Sequence, residues 1–268
     1  MTKIACNRII LSTDDNDMYR SFWPIVAKAW KKLFDVKVSL AYVTNSPKPE
    51  LLKKMREYGD VFVYTPVKDV PVGNQAKMAR FFLAAEEYPD EVCMVNDIDT
   101  APLNRDYFIR VLEDRRADHL LAVGAELYVG TPHEGKFPIG EITAEGDVFK
   151  RIVNPKGLDF DKYINSFKKI SEYDHKEDIS VPSSVFSDES LLRVLISRSN
   201  VPVIHTPRNV NIAEDWIDRS WWRVDEVKLQ SGGYVLVNFL RPLKNYFNEI
   251  YPVISYIYED EEYTDIFA

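Results

Sequence analysis

Apolar residues along this chain fall into two spacings. Short, mainly apolar runs occur at Arg8–Ser12 (RIILS), Val36–Val43 (VKVSLAYV), Val61–Tyr64 (VFVY) and Glu91–Val95 (EVCMV). Runs this short, bounded by polar turn residues, predict strands buried on both faces. Between them, apolar positions recur with helical period. Phe22, Val26, Trp30 and Leu33 predict a helix capped by Ser21, with Pro24 in the first turn, where a missing N–H costs little. Ser46–Tyr58 predicts a second helix with proline at its start, and Asn74–Glu87 a third. Strand and helix therefore alternate through the first part of the chain. That order predicts a mostly parallel, doubly wound α/β sheet with helices on both faces. Further on, His119–Tyr128 (HLLAVGAELY) predicts another strand, and Ser187 or Asp188 caps a helix.

In such sheets ligands gather outside the carboxyl ends of the strands, so chemistry is expected just after each run. Thr13-Asp14-Asp15 follows the first strand, Thr44-Asn45 the second, Thr65-Pro66 the third and Asn96-Asp97-Ile98-Asp99 the fourth. The Asp-x-Asp pattern also occurs at Asp15/Asp17 and Asp159/Asp161, but only Asp97/Asp99 sits directly on the end of an apolar strand. On an extended segment those two carboxylates point to the same side. A hard divalent cation relieves their repulsion, and oxygen ligands of this kind suit magnesium or manganese. The competing reading is a solvated acidic turn ahead of a helix at Asn104–Leu112. In the preceding helix Lys77 and Arg80 lie three apart and share a face near its start, a favourable place for a diphosphate. Against this stands a pair of solvated cations balanced by Glu86 and Glu87.

Size and composition narrow the classes. The 268 residues, 46% hydrophobic and 28% charged, fit one large α/β domain. A net charge of -8 argues against nucleic-acid binding. Cys6 and Cys93 lie in apolar runs and read as buried free thiols of a reducing compartment. The opening MTKIACNRII lacks a signal-peptide pattern, and no run of about 18 apolar residues occurs. No membrane span is expected, and a cytoplasmic location is the expectation. GxGxxG after the first strand, GxxxxGK[ST], GxSxG, HExxH and CxxC are all missing.

The segments IILSTDDNDMY, GNQAKMARFFLA and VCMVNDIDTAPL together resemble glycosyltransferases of the GT-A fold. The resemblance is close over the first half of the chain and holds in outline beyond it. It also extends to the small glycosyltransferases encoded by large algal viruses. It implies a single domain with a Rossmann-type, mostly parallel sheet. Residues 1–103 would form the nucleotide-binding half, 104–250 the donor-sugar and acceptor half, and 251–268 a C-terminal tail that is acidic from Tyr258 onward. Thr13 and Asp14 would meet the nucleotide, Lys77 and Arg80 would face the donor, and Asp97 and Asp99 would hold manganese or magnesium on the diphosphate.

Later segments carry the resemblance further. GKFPIGEITAEGDVFKRIV is similar to the family's stretch around donor sugar and acceptor. FSDESLL implies Asp188 as general base or acceptor-positioning carboxylate, with Glu189 as runner-up; a plain helix cap is the alternative. GGYVLVNFLRPLKNY resembles the family's closing segment, where a histidine often adds a metal ligand. Here Asn238 stands at that position, a weaker oxygen ligand, followed by Arg241 and Lys244 as diphosphate-binding cations. His205 is a rival ligand, although a satisfied structural histidine is the preferred reading. Trp216, Trp221 and Trp222 would stack on an acceptor sugar if exposed, or form a packed corner.

The function implied is metal-dependent transfer of a sugar from a nucleotide-sugar donor to a glycan acceptor. The donor is expected to be a UDP-sugar, the family's commonest. Two alternatives remain. A sugar-phosphate nucleotidyltransferase would open with a Gly-rich basic loop where this chain has STDDND. A non-catalytic nucleotide-sugar or glycan-binding module would lack the metal pair or the late acid.

Overall fold

Strand β1 (Arg8–Asp14) carries the apolar run Ile9–Leu11 because both its faces are covered. Ile9 and Leu11 join one core cluster and Ile10 the other, all fully buried. A computed structural model describes residues 6–131, 134–168 and 188–258. After β1 come α1 (Asp17–Arg20), α2 (Trp23–Phe34), β2 (Lys37–Val43), α3 (Pro49–Arg56), β3 (Asp60–Tyr64), α4 (Val72–Glu87), β4 (Val92–Val95), β5 (Thr100–Pro102) and α5 (Arg105–Leu112). The second half runs β6 (Leu120–Val123), β7 (Ile142–Glu145), α6 (Gly146–Val153), α7 (Phe160–Ser166), α8 (Asp188–Ser199) and β8 (Val203–Thr206). It ends with α9 (Ile212–Asp215), β9 (Trp216–Ile217), α10 (Glu226–Gln230), β10 (Leu236–Asn238) and α11 (Phe247–Ile257).

Seven strands form the central sheet in the order β3-β2-β1-β4-β7-β6-β8. Strands β1 to β4 pair in parallel, as expected, while β7 runs antiparallel between β4 and β6. Helices α2, α5 and α11 pack on one face; α4, α6, α7 and α8 pack on the other. A small second sheet, β5-β10-β9, closes over the end of β4. Gly146 opens α6 where that helix meets the end of α4. A Cβ there would stand 2.0 Å from the Tyr88 carbonyl oxygen, so only glycine permits the approach.

Several boundaries differ from expectation, each for a local reason. Helix α2 starts at Trp23 without a side-chain cap, because Ser21 Oγ donates to the Asp17 carbonyl of the short α1 turn instead. Helix α3 begins only at Pro49, since a residue preceding proline avoids helical geometry. Helix α4 starts two residues early, at Val72, behind Pro71. The strand expected over His119–Tyr128 ends at Val123, where Gly124 takes φ 85° and turns the chain into a 3-10 turn, Ala125–Tyr128. Ser187 lies outside the described residues, as do 259–268 of the acidic tail. No helix among the described residues is long and apolar enough to cross a membrane.

Candidate functional site

The carboxyl ends of β1 and β4 open into one cavity of about 380 Å³. The first turns of α4 form one wall. Their position is fixed by buried Gln75, whose Nε2 donates to the carbonyls of Val67 and Val70 and whose Oε1 accepts from Val67 N. This presents Gly73, Ala76, Lys77 and Arg80 to the cavity. Opposite lie Thr13 and Asp14 at the end of β1, and Asp97 and Asp99 beyond β4. Asp188, the first residue of α8, completes the acidic lining.

The Asp97–Asp99 segment is a turn and not the extended stretch expected. Asn96 N still continues the sheet onto Ile10 O, but Thr100 N then folds back onto Asp97 O. Both carboxylates nevertheless reach the same cavity. Asp97 Oδ1 accepts Arg80 Nη1 at 2.6 Å, and Asp99 Oδ2 accepts Arg219 Nη1 at 2.6 Å. Arg241 Nη1 lies 3.2 Å from the same Asp99 oxygen. Enclosure pushes the Asp97 pKa up, but the Arg80 guanidinium outweighs this and leaves it below its ordinary value. Burial and the adjacent Asp97 charge hold Asp99 above its ordinary value despite the two arginines.

Arg80 lines the cavity, but its guanidinium is engaged by protein acids. Its side chain is only 4% exposed. Besides Asp97 it donates to Asp188 Oδ2 at 2.5 Å, to Asn96 O at 3.0 Å and to Lys77 O at 3.2 Å. The guanidinium therefore brackets two protein acids and has little left for a donor. Burial disfavours its charge, but the two carboxylates more than restore it.

The remaining candidates separate. Asp14 Oδ1 accepts Asn16 N, whereas Asp15 turns inward to the hydroxyls of Tyr42 and Thr44. Asn238 Oδ1 accepts from Thr100 Oγ1 at 2.7 Å, and its Nδ2 donates to Asp218 Oδ2 at 2.8 Å. Its amide thus ties the Asp97–Asp99 turn to the next loop and is not turned to the cavity. Lys244 lines a neighbouring groove with Trp23 and Leu243, apart from the cavity. His205 stacks on Phe137 at 5.6 Å, on the outermost strand of the sheet. Glu189 accepts from Tyr128 Oη at 2.8 Å, and burial raises its carboxyl to about 6. Of the tryptophans, Trp216 is buried under Arg208, Trp222 is half-buried and Trp221 is exposed. The other two Asp-x-Asp pairs sit at surface helix starts, where Asp17 pairs with Arg20 and Asp159 with Lys162.

Sequence reasoning passed over Arg219. It belongs to the 3-10 turn Arg219–Trp221, which Asp218 caps by accepting Ser220 N. Its only signal was that capping aspartate.

The donor set fits a hard divalent cation. Asp97 and Asp99 each use one oxygen on arginine, and the second oxygen of each takes no hydrogen bond from another described side chain. Among the described residues no group of three or more acids, histidines or cysteines is placed to hold a metal ion. Two carboxylates facing an open cavity leave further positions to substrate oxygens and water, as magnesium and manganese accept.

No family model matches the chain, and no curated protein matches it. Solved structures do. The glycosyltransferase GlyE of Streptococcus pneumoniae TIGR4 superposes with TM-score 0.51 at 11% identity, over 97% of this chain and 62% of that one. LgtC, a galactosyltransferase solved with donor and acceptor sugar analogs, gives 0.49 at 13% identity over 97% and 99%. At such identity the likeness is one of fold. Together with the sheet order, it defines the class: the chain has the GT-A glycosyltransferase fold.

Proposed function

We propose that this chain is a metal-dependent glycosyltransferase, passing a sugar from a nucleotide-sugar donor, a UDP-sugar by the resemblance of its motifs, to a glycan acceptor. The observation that carries this reading is the charge pattern of the cavity. Asp14, Asp97, Asp99 and Asp188 face Lys77, Arg80, Arg219 and Arg241, so the formal charges cancel. A diphosphate diester adds about two negative charges, which one divalent cation offsets.

Roles follow from position. Thr13 and Asp14 meet the nucleoside end. Asp97 and Asp99 hold magnesium or manganese, which when bound stabilises charge on the departing diphosphate. Lys77, Arg219 and Arg241 add fixed positive charge beside that leaving group. Asp188, held in place by Arg80, orients the acceptor hydroxyl or takes its proton. Glu189 is the second candidate, and its raised carboxyl suits proton exchange near neutral pH.

The test is a panel of nucleotide sugars with manganese, with and without simple glycan acceptors, read as released nucleoside diphosphate. Release from one donor that disappears in Asp97→Ala supports the reading. No release from any donor would sink it.

A further inference from the structure

Asp99 is held by more positive charge than it can neutralise. Its side chain is 7% exposed, and a single oxygen, Oδ2, takes both Arg219 and Arg241. Asp97, by contrast, is 47% exposed and meets Arg80 alone through one oxygen. Two guanidiniums crowded on one carboxylate oxygen repel each other. They also cover the charge a divalent cation needs. Since the cavity is formally neutral, a bare cation gains little by entering.

Arg219 is also free to change partner. It makes one hydrogen bond, through Nη1, and its other N–H groups meet no acceptor among the described residues. The turn that carries it is anchored without Asp99. Asp218 Oδ1 accepts Ser220 N at 2.8 Å, and Asp218 Oδ2 accepts Asn238 Nδ2 at 2.8 Å. The guanidinium can therefore leave Asp99 while its backbone stays in place. Arg241 has an alternative partner already, donating to Tyr19 Oη at 2.6 Å with its guanidinium 4.9 Å above the ring. A planar guanidinium fork matches paired phosphate oxygens better than it matches a shared carboxylate oxygen. A diphosphate in the cavity draws both arginines and uncovers Asp99.

We propose that Arg219 and Arg241 gate Asp99, so that this site takes a divalent cation only together with a nucleotide diphosphate. The proposal rests on reading the cavity as the donor site. Because coupling between two ligands is reciprocal, the cation strengthens diphosphate binding by the same factor.

The experiment titrates the full chain calorimetrically with manganese alone, with UDP alone, and with manganese at saturating UDP. Wild type is expected to bind manganese about tenfold more tightly, or better, when UDP is present. In Arg219→Gln, manganese alone binds several-fold more tightly while UDP alone binds about tenfold more weakly, and the coupling shrinks. Arg241→Gln moves both affinities in the same directions. A loss of folding weakens both ligands together, so this crossing separates the gate from damage. If Arg219→Gln and Arg241→Gln leave manganese binding unchanged or weaker, the gate is overturned and the donor site stands; if wild type binds manganese equally with and without UDP, the metal-dependent donor reading falls together with the gate. If wild type binds neither UDP nor any other nucleoside diphosphate, the donor-site reading falls and takes the gate with it.

Discussion

Arg80 and Asp188 stand 108 positions apart in the chain, yet Nη2 of one and Oδ2 of the other meet at 2.5 Å. The contact joins α4 to α8, and through Asp97 it joins both to the turn after β4. One buried cation therefore sets the spacing between Asp97 and Asp188.

Removing that cation leaves the nearly enclosed Asp188 and the half-exposed Asp97 without their counter-charge. Arg80→Ala should lower stability by about 3–5 kcal/mol, the range for breaking a buried ion pair. Urea unfolding measures it. Arg80→Lys keeps the charge but not the fork, so it should recover part of the stability and little of the activity. Equal activity in the lysine variant and wild type would contradict the bracket.

Asn238 tests whether the loop carrying Arg219 is positioned from β10. Asn238→Ala removes the hydrogen bonds to Thr100 and Asp218, at a cost of about 1–2 kcal/mol. Steady-state kinetics should show KM for the donor rising more than kcat falls. A fall in kcat alone would point to a direct role instead.

Glu189 gives a pH signature. Burial, reinforced by the Asp188 and Asp97 charges and opposed by the Tyr128 hydroxyl, raises its carboxyl from 4.5 to about 6. The folded state thus holds this proton more tightly than the unfolded chain does. The stability contributed is fully present below the ordinary value and is lost as pH rises through about 6. Glu189→Gln should flatten the melting-temperature profile across that window. Parallel profiles for the two proteins would show that the group does not titrate there.

A second buried network joins Tyr107, Glu141 and Arg208. Arg208 Nε donates to Glu141 Oε2 at 3.1 Å, and the Tyr107 hydroxyl donates to the same oxygen at 3.0 Å. Arg208→Ala strands Glu141, which is 1% exposed, and should cost about 3–5 kcal/mol. Adding Glu141→Gln should restore a large part of that loss. If the double variant is no more stable than Arg208→Ala, the network is not an energetic unit.

The parallel half of the fold was legible because β1, β2 and β4 bury alternate residues in two different clusters, leaving continuous apolar runs. Asp14, Asp97 and Asp99 were legible because they follow those runs directly, whereas Asp188 was read from the resemblance of FSDESLL. Arg80 was read as a donor-facing cation because a helical face shows which residues neighbour each other, not what packs above them. Its partners come from β4 and from α8, far along the chain. Arg219 escaped for the same reason, since Asp99 lies 120 positions away and no local periodicity marks a 3-10 turn. The short antiparallel β7 and the three-strand sheet of β5, β10 and β9 depend on pairing between distant segments, which a single sequence does not display.

The most direct test of the central claim is calorimetric titration of UDP, with and without manganese, into wild type and into Asp97→Ala/Asp99→Ala. The account predicts binding that manganese strengthens in wild type and does not strengthen in the double variant. UDP binding indifferent to both the metal and the two aspartates would contradict it.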